Sequence, residues 1–370
     1  MSSLMFETLG LLAAILFLLY YYSKSKLEFW KKRGVKGPKP IPFLGNFKDV
    51  FLGKISVNDS FVKAYYEFRD EPLIGMFSGH IPILLVKDPE LMKDVLIKDF
   101  SKFADRMQDP DIQVEPLSEH LFRLEGKRWK PLRAHFSPIF TSGKLKEMFH
   151  LMLECGKHFE KYLDTTLGNG VEYIDCREIS AKFTTDVIGS CAFGIEANAL
   201  AAEDSEFRKM GRQVFQPTIK TYLRDRLRDY PFIFKLFGKY IVDHEIVEFF
   251  TRITKESIDY RIKNNFRRHD FIDTLVELKQ NPEKAKLEDL NDIFLAAQAF
   301  IFFAAGFETS SVTVTNALYE LALNQSIQDA LRSEIKDILQ RGNGEITYEN
   351  IKEMKLLDGV LQELSSENLD

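Results

Sequence analysis

Cysteine is scarce in this chain of 370 residues: Cys155, Cys176 and Cys191 are the only three. The number is odd and no C-x-x-C occurs, which argues against a disulfide scaffold and a zinc ribbon. Three reduced thiols in a protein that faces the cytosol are expected instead. The seven histidines form no H-E-x-x-H or H-x-x-x-H pair, so no zinc site is expected. Positive charge is not in excess. The 50 Lys and Arg residues face 55 Asp and Glu, for a net charge of -5, and no nucleic-acid partner is expected. Tryptophan is rare (2), no internal repeat is visible, and strand-like alternation is confined mainly to one early stretch. Phenylalanine, by contrast, is abundant (32). That suits an apolar cavity and a plain packed core equally well.

The N-terminus is the first positive signal. Thr8 to Tyr22 contains no charged residue, and counting back to Leu4 adds only Glu7. A spanning helix needs about 20 mostly apolar residues. Tyr20, Tyr21 and Tyr22 suit the water interface, and Lys24, Lys26, Lys31, Lys32, Arg33 and Lys36 follow against the single acid Glu28. This predicts one N-terminal transmembrane helix with the basic side in the cytosol. The rival, a cleaved signal peptide, needs its basic residues before the apolar run and a small-x-small site after it; neither is present. Gly37-Pro38-Lys39-Pro40-Ile41-Pro42 reads as a stiff extended spacer or surface loop. The expected organisation is an anchor over 1–23, a basic and proline-rich linker over 24–46, and a body over 47–370.

The body reads as mostly α with a small β part. A helix is predicted over Phe61–Phe68 and a hairpin over Pro72–Val86 with its turn at Ser78-Gly79. Asp88-Pro89 cap a helix towards Phe100, and a loop runs from Asp105 to Glu119. Helices are then predicted over Lys144–Leu167, Cys176–Gly194, Ser205–Arg228, His244–Phe266, Phe271–Gln280 and Asp292 to about Asn324. Pro231–Phe237 is an apolar cluster between charged helices, either a buried loop or a segment that dips into a bilayer.

Two constellations carry chemistry. In EGKRWKPLRAHF, Trp129 and Arg133 lie four apart on one helix face, with Pro131 expected in the first turn. Together they form a donor pair suited to a carboxylate; the plainer reading is a core Trp beside a surface Arg. In the long helix, Ile293–Phe307 is nearly all apolar and leads into Ala305-Gly306-Phe307-Glu308-Thr309-Ser310. An acid and a hydroxyl in the middle of an apolar helix are costly unless satisfied. Gly306 weakens the helix interior, a cost that makes sense if something docks there. Thr309 can bond back to a carbonyl and open the turn, and Glu308 can relay protons. The alternative, a second membrane span, is short and interrupted by Gln298.

Ala305-Gly306-Phe307-Glu308-Thr309 resembles the A-G-x-E-T of the cytochrome P450 central helix, and Trp129 with Arg133 resembles that family's W-x-x-x-R. The linker KGPKPIPFLGN, FSKFADR (100–106) and RRHDFIDTL (267–275) are also similar to the family, in order, up to about Glu363. The wording is most similar to insect microsomal enzymes that oxidise plant toxins and insecticides. The resemblance implies a cytochrome P450 fold, incomplete at its C-terminus, behind an N-terminal transmembrane helix in the endoplasmic reticulum membrane. It implies haem as cofactor, with Trp129 and Arg133 on a propionate and Ala305 facing the ring. Glu308 and Thr309 would deliver protons. It also implies an apolar small-molecule substrate, membrane lipid as a partner, and NADPH electrons through a separate reductase. The loop 105–119 and Phe300–Phe303 are expected to set specificity.

The sequence departs from the family after Glu363, where Ser366 stands in the place of the expected arginine of E-x-x-R. The haem-loop cysteine would lie beyond Asp370, and none of the three cysteines lies in such a loop. A thiolate pushes electron density onto iron and favours O–O cleavage, so this polypeptide is expected not to catalyse monooxygenation by itself. Three readings follow: an incomplete monooxygenase, a non-catalytic membrane-anchored short isoform that binds apolar ligands or competes for the reductase, and an unrelated helical membrane-surface protein.

Overall fold

The computed structural model describes residues 2–106, 111–168, 170, 173–202, 205–228, 230–285, 287 and 290–367. The chain divides into two compact units, residues 1–104 and 105–370. Among the described residues it is mostly helical with one two-stranded sheet, as the sequence predicts.

The first unit begins with helix α1, Ser2–Lys26, which is apolar on every side. From Met5 to Tyr22 its large apolar side chains are exposed, as a membrane-anchoring segment requires. Short α2 (Lys48–Phe51) and α3 (Val57–Glu67) follow. Helix α3 starts earlier than the apolar pattern alone indicates, because Ser56 and Asp59 form a reciprocal capping box. Strands β1 (Leu73–Ser78) and β2 (Ile81–Val86) pair antiparallel, Leu73 opposite Val86, and Gly79 turns between them at φ 58°. Asp88 caps α4 (Pro89–Lys93) by accepting from the Leu91 N–H at 2.9 Å. The proline-rich segment is not a free spacer. Asn46 ties it to β1, donating to the Pro38 carbonyl and accepting from the Phe77 N–H, while Trp30 Nε1 donates to the Met76 carbonyl at 2.8 Å. A Cβ on Gly37 would lie 2.0 Å from the Gly75 carbonyl oxygen, so that glycine permits the backbones to meet.

The second unit contains α5 (Gly126–Phe136), α6 (Ser142–Gly168), α7 (Cys176–Ile188), α8 (Glu206–Phe215), α9 (Ile219–Leu227), α10 (Pro231–Phe237), α11 (His244–Asn264) and α12 (Phe271–Gln280). Helices α13 (Asp292–Leu323), α14 (Gln325–Arg341), α15 (Tyr348–Glu353) and α16 (Lys355–Glu367) complete it. Three readings are corrected here. The single helix over Ser205–Arg228 is two, because Pro217 lacks an N–H and forces Gln216 into extended backbone, after which Thr218 caps α9. Pro131 lies in the second turn of α5 rather than the first, at the cost of one intrahelical bond. The segment Pro231–Phe237 is not a buried loop. It is a short helix that buries Phe234 and exposes Phe232 (82%), Ile233, Leu236 and Phe237.

Helix α13 is the axis of this unit. It meets the length and apolarity of a membrane span, but Phe294 to Ala297, Ala299 and Phe303 are wholly buried by neighbouring helices. Gln298 is equally buried and fully used. Its amide donates to the Glu119 carbonyl at 2.8 Å and its oxygen accepts from the Leu121 N–H at 2.9 Å, holding the preceding loop against the helix. The phenylalanines pack into one another rather than around a void: Phe193, Phe207, Phe250, Phe303 and Phe307 form a chain of ring contacts.

Candidate functional site

Residues on an α-helix advance about 100° each, so Phe294, Phe302, Ala305 and Thr309 fall on one stripe of α13. Helix α5 covers the first part of it. The Arg128 guanidinium sits over the Phe294 ring, and the Phe136 ring meets Phe302 at 5.6 Å. Beyond α5 the stripe is open, and Ala305 and Thr309 are exposed. On α5 itself, Leu132 and Phe136 are buried, while Trp129 packs half-buried at the core's edge and Arg133 is exposed. This is also the geometry of the plainer reading. What it leaves available is the Arg133 guanidinium, which has no hydrogen bond or ion pair among the described residues.

Thr309 Oγ1 donates to the Ala305 carbonyl at 2.5 Å, as expected, yet α13 remains a continuous helix through that turn. Glu308 does not share the open stripe. Its carboxylate accepts from Arg177 Nη2 at 2.6 Å, an ion pair to the start of α7 that removes the cost of an acid on an apolar helix. Gly306 has a structural partner. A Cβ there would stand 2.6 Å from Ile188 Cδ1, so glycine lets α7 approach α13. Thr184 Oγ1 extends that contact by donating to the Phe307 carbonyl at 3.1 Å.

The residues therefore fit part of a haem site. Ala305 and Thr309 are exposed on α13, and the Arg133 guanidinium on α5 is unpaired among the described residues. The three cysteines do not complete it. Helix α7, which begins with Cys176, crosses α13 through Thr184 at the Phe307 carbonyl and Arg177 at Glu308, and the Cys176 carbonyl accepts from Thr315 Oγ1 at 3.5 Å, more than a turn beyond Thr309. Cys155 and Cys191 lie in α6 and in the turn after α7, where burial pushes their thiols up to about 11 and about 12. Such thiols stay protonated at neutral pH in the fold described, so neither is poised as a thiolate. Among the described residues no group of His, Cys, Asp and Glu is arranged to hold a metal ion.

Specificity was expected in the loop 105–119 and in Phe300–Phe303. Residues 107–110 lie outside the described ones. Phe302 and Phe303 are packed in the core, with Phe302 stacked on Phe271 at 3.8 Å, and Phe300 lines a cavity. The sequence reading passed over the residue that follows the loop, His120. It is 5% exposed, its ring is 6.3 Å from Phe300, and burial together with the charges of Arg123 and Arg228 pushes its pKa down to about 3. The folded state therefore holds His120 neutral while the unfolded chain protonates it below its ordinary 6.5. Stability from this group is full above pH 6.5 and falls as the pH drops towards 3, at up to about 1.4 kcal/mol per unit. His120→Phe is expected to flatten the acid limb of a denaturation series between pH 6.5 and 4. Parallel curves for the two proteins would refute this role.

The family model described as cytochrome P450 matches residues 35–364. The chain is 39% identical over 372 residues to cytochrome P450 6a2 of Drosophila melanogaster, which covers 97% of this chain and 73% of that protein. It is 40% identical over 366 residues to cytochrome P450 6A1 of Musca domestica, covering 98% and 71%. It is 36% identical over 364 residues to cytochrome P450 6j1 of Blattella germanica, covering 98% and 72%.

Proposed function

Since the chain belongs to the cytochrome P450 family, we propose that it carries the distal and propionate-binding part of a haem monooxygenase for apolar small molecules. Haem, when bound, supplies dioxygen activation and insertion of one oxygen atom, with NADPH electrons arriving through a separate reductase. Arg133 and Trp129 hold a propionate, where a charge-assisted hydrogen bond is strong. Ala305, with only a methyl group on the open stripe, lets the ring plane approach the helix. Thr309 Oγ1 presents a hydroxyl there and hands a proton inward, and Glu308 resupplies it by swinging away from Arg177. The packed phenylalanines behind the stripe keep that side dry. Helix α1 anchors the chain in the endoplasmic reticulum membrane with its basic end and the body in the cytosol. The exposed face of α10 dips into the lipid.

The observation that carries this reading is the exposed Ala305–Thr309 stripe of α13, next along the helix from the part that α5 covers, with the Arg133 guanidinium of α5 unpaired among the described residues. The placement of the cysteines supports its second part: these 370 residues do not turn over substrate by themselves. The same observation favours the alternative of a non-catalytic anchored form that binds apolar ligands or competes for the reductase.

Titrating haem into the detergent-solubilised chain, followed by its absorption and by tryptophan quenching, tests both parts. Binding is expected to weaken about 10-fold in Arg133→Gln, with no thiolate-type spectrum of the reduced carbon monoxide complex. An unchanged affinity in Arg133→Gln overturns the propionate role, and a thiolate-type spectrum overturns the assignment of the cysteines.

A further inference from the structure

The cytosolic end of α1 is not a free stalk. From Met5 to Lys26 every residue of that helix is exposed except Ser23, which is 4% exposed. Its Oγ accepts from the Phe43 N–H at 3.0 Å, 20 residues further on. Phe43 is the tip of a tight loop closed between Ile41 and Gly45, each N–H donating to the other's carbonyl at 2.8 Å. The loop is fixed to β1 in turn, because the Asn46 N–H donates to the Phe77 carbonyl at 2.8 Å. The stretch between anchor and loop is held as well, by Trp30 on Met76 and by the Gly75 N–H on the Lys36 carbonyl, each at 2.8 Å.

Phe43 holds φ at 66°, in the left-handed region that a bulky L-residue rarely adopts. Such strain persists where the surroundings over-determine it, and it clusters at ligand clamps. Here it leaves the Phe43 side chain 49% exposed beside Ile41 at 40%. The charge around this loop is of one sign. Between residues 23 and 50 seven lysines and one arginine face two acids, Glu28 and Asp49. Glu28 is taken by Lys32 at 3.1 Å, and Lys36 has its own acid in Glu71 at 2.5 Å. Lys24, Lys26, Lys31 and Lys39 are exposed, and among the described residues none of them has a carboxylate partner.

Lysines just outside a spanning helix are attracted to a negative leaflet, an effect that fades within a Debye length. A loose basic tail achieves this at the cost of ordering itself on the surface. In this chain the Ser23 bond has already folded the second basic stretch, with Lys39, back onto the end of the anchor. Cations from both stretches therefore surround one helix end, with the exposed Phe43 and Ile41 among them. We propose that this folded collar is a seat for acidic phospholipid. Lys24, Lys26, Lys31 and Lys39 hold the phosphate and the negative headgroup, and Phe43 enters the acyl boundary beside α1. The inference rests on the reading of α1 as the membrane anchor.

The full chain reconstituted in phosphatidylcholine bilayers tests this, with spin-labelled phosphatidylserine and spin-labelled phosphatidylcholine as probes. Electron spin resonance reads the fraction of each label whose motion the protein restricts. Phosphatidylserine is expected to associate about 5-fold more strongly, and to lose most of that advantage in about 1 M salt. Lys24→Gln, Lys31→Gln and Lys39→Gln together should abolish the preference, and all three positions are exposed, so the fold should survive. Ser23→Ala changes no charge, yet it should remove about half of the preference, because Lys39 and Phe43 then leave the helix end. Equal association of the two lipids with the unaltered chain overturns the proposal. So does a preference that survives the triple substitution. A Ser23→Ala chain with its full preference overturns it too, since the collar is then a loose basic tail. Restriction of neither label would instead refute the anchor, a result distinct from all of these.

Discussion

Asp270→Ala is expected to destabilise the second unit by about 3–5 kcal/mol, the range for breaking a buried ion pair by removing one partner. The Asp270 side chain is 0% exposed and that of Arg261 4%. Arg261 Nη1 donates to Oδ1 and Nη2 to Oδ2, each at 2.6 Å, and Nη1 also reaches Asp273 at 2.5 Å. Burial works against the Arg261 charge, but these hydrogen bonds and charges outweigh it and hold its pKa above the ordinary value. Alanine would leave a guanidinium in the core with Asp273 as its remaining carboxylate, and it would also remove the N-cap of α12. The turn at Gly194, φ 67°, closes over the pair, and a Cβ there would meet Arg261 Nη2 at 2.0 Å, so the surroundings have little room to relax. Hydrogen exchange at α11 and α12 amides under increasing urea reads the effect. A loss below about 1 kcal/mol would show that water or Asp273 rescues the charge. Asp270→Ala combined with Arg261→Met should recover part of the loss, because the orphaned cation is then gone.

Phe303→Ala is expected to cost a similar ~3–5 kcal/mol by a different route, through a cavity in an apolar core. Phe303 is fully buried. It stacks on Phe307 at 5.5 Å and meets Phe250 at 5.1 Å, Phe207 at 6.0 Å and Phe193 at 6.3 Å. Its ring also occupies the space that Gly211 leaves on α8, where a Cβ would lie 3.3 Å away. Four elements, α8, α11, α13 and the turn after α7, therefore lose contact atoms at once and cannot all collapse inward. Phe303→Leu should cost less than half as much, since most of the volume remains. The same exchange measurement on α8, α11 and α13 amides distinguishes the two variants. Equal losses for Ala and Leu would mean that ring geometry rather than volume sets the cost.

These two sites show how a motif read as a family resemblance acquires a physical role. RRHDFIDTL stood out in the sequence as wording alone. In the structure Asp270 and Asp273 clamp Arg261, while Arg268 donates to the Gly194 carbonyl and to Ser190 Oγ, each at 2.9 Å. The segment joins α11, α12 and the turn after α7. Trp129 and Arg133 were legible as a pair on one face because four-residue spacing is local geometry. Gly306 and Glu308 stood out in the sequence as costs on an apolar helix, and in the structure Ile188 packs against the first and Arg177 pairs with the second.

By itself the sequence determined whatever depends on near neighbours. The uninterrupted apolar run of α1, the cap at Asp88, the mostly helical body and the order of motifs that marks the family all follow from composition and short spacing. Long-range pairing was decided only by tertiary structure. Glu308 meets Arg177 across 131 residues and Arg228 meets Glu115 across 113, and no periodicity links either pair. Packing a chain around α13 brings such side chains together through many weak apolar contacts at once. The bond from Phe43 to Ser23 that gathers the lysines is likewise visible only in the folded chain.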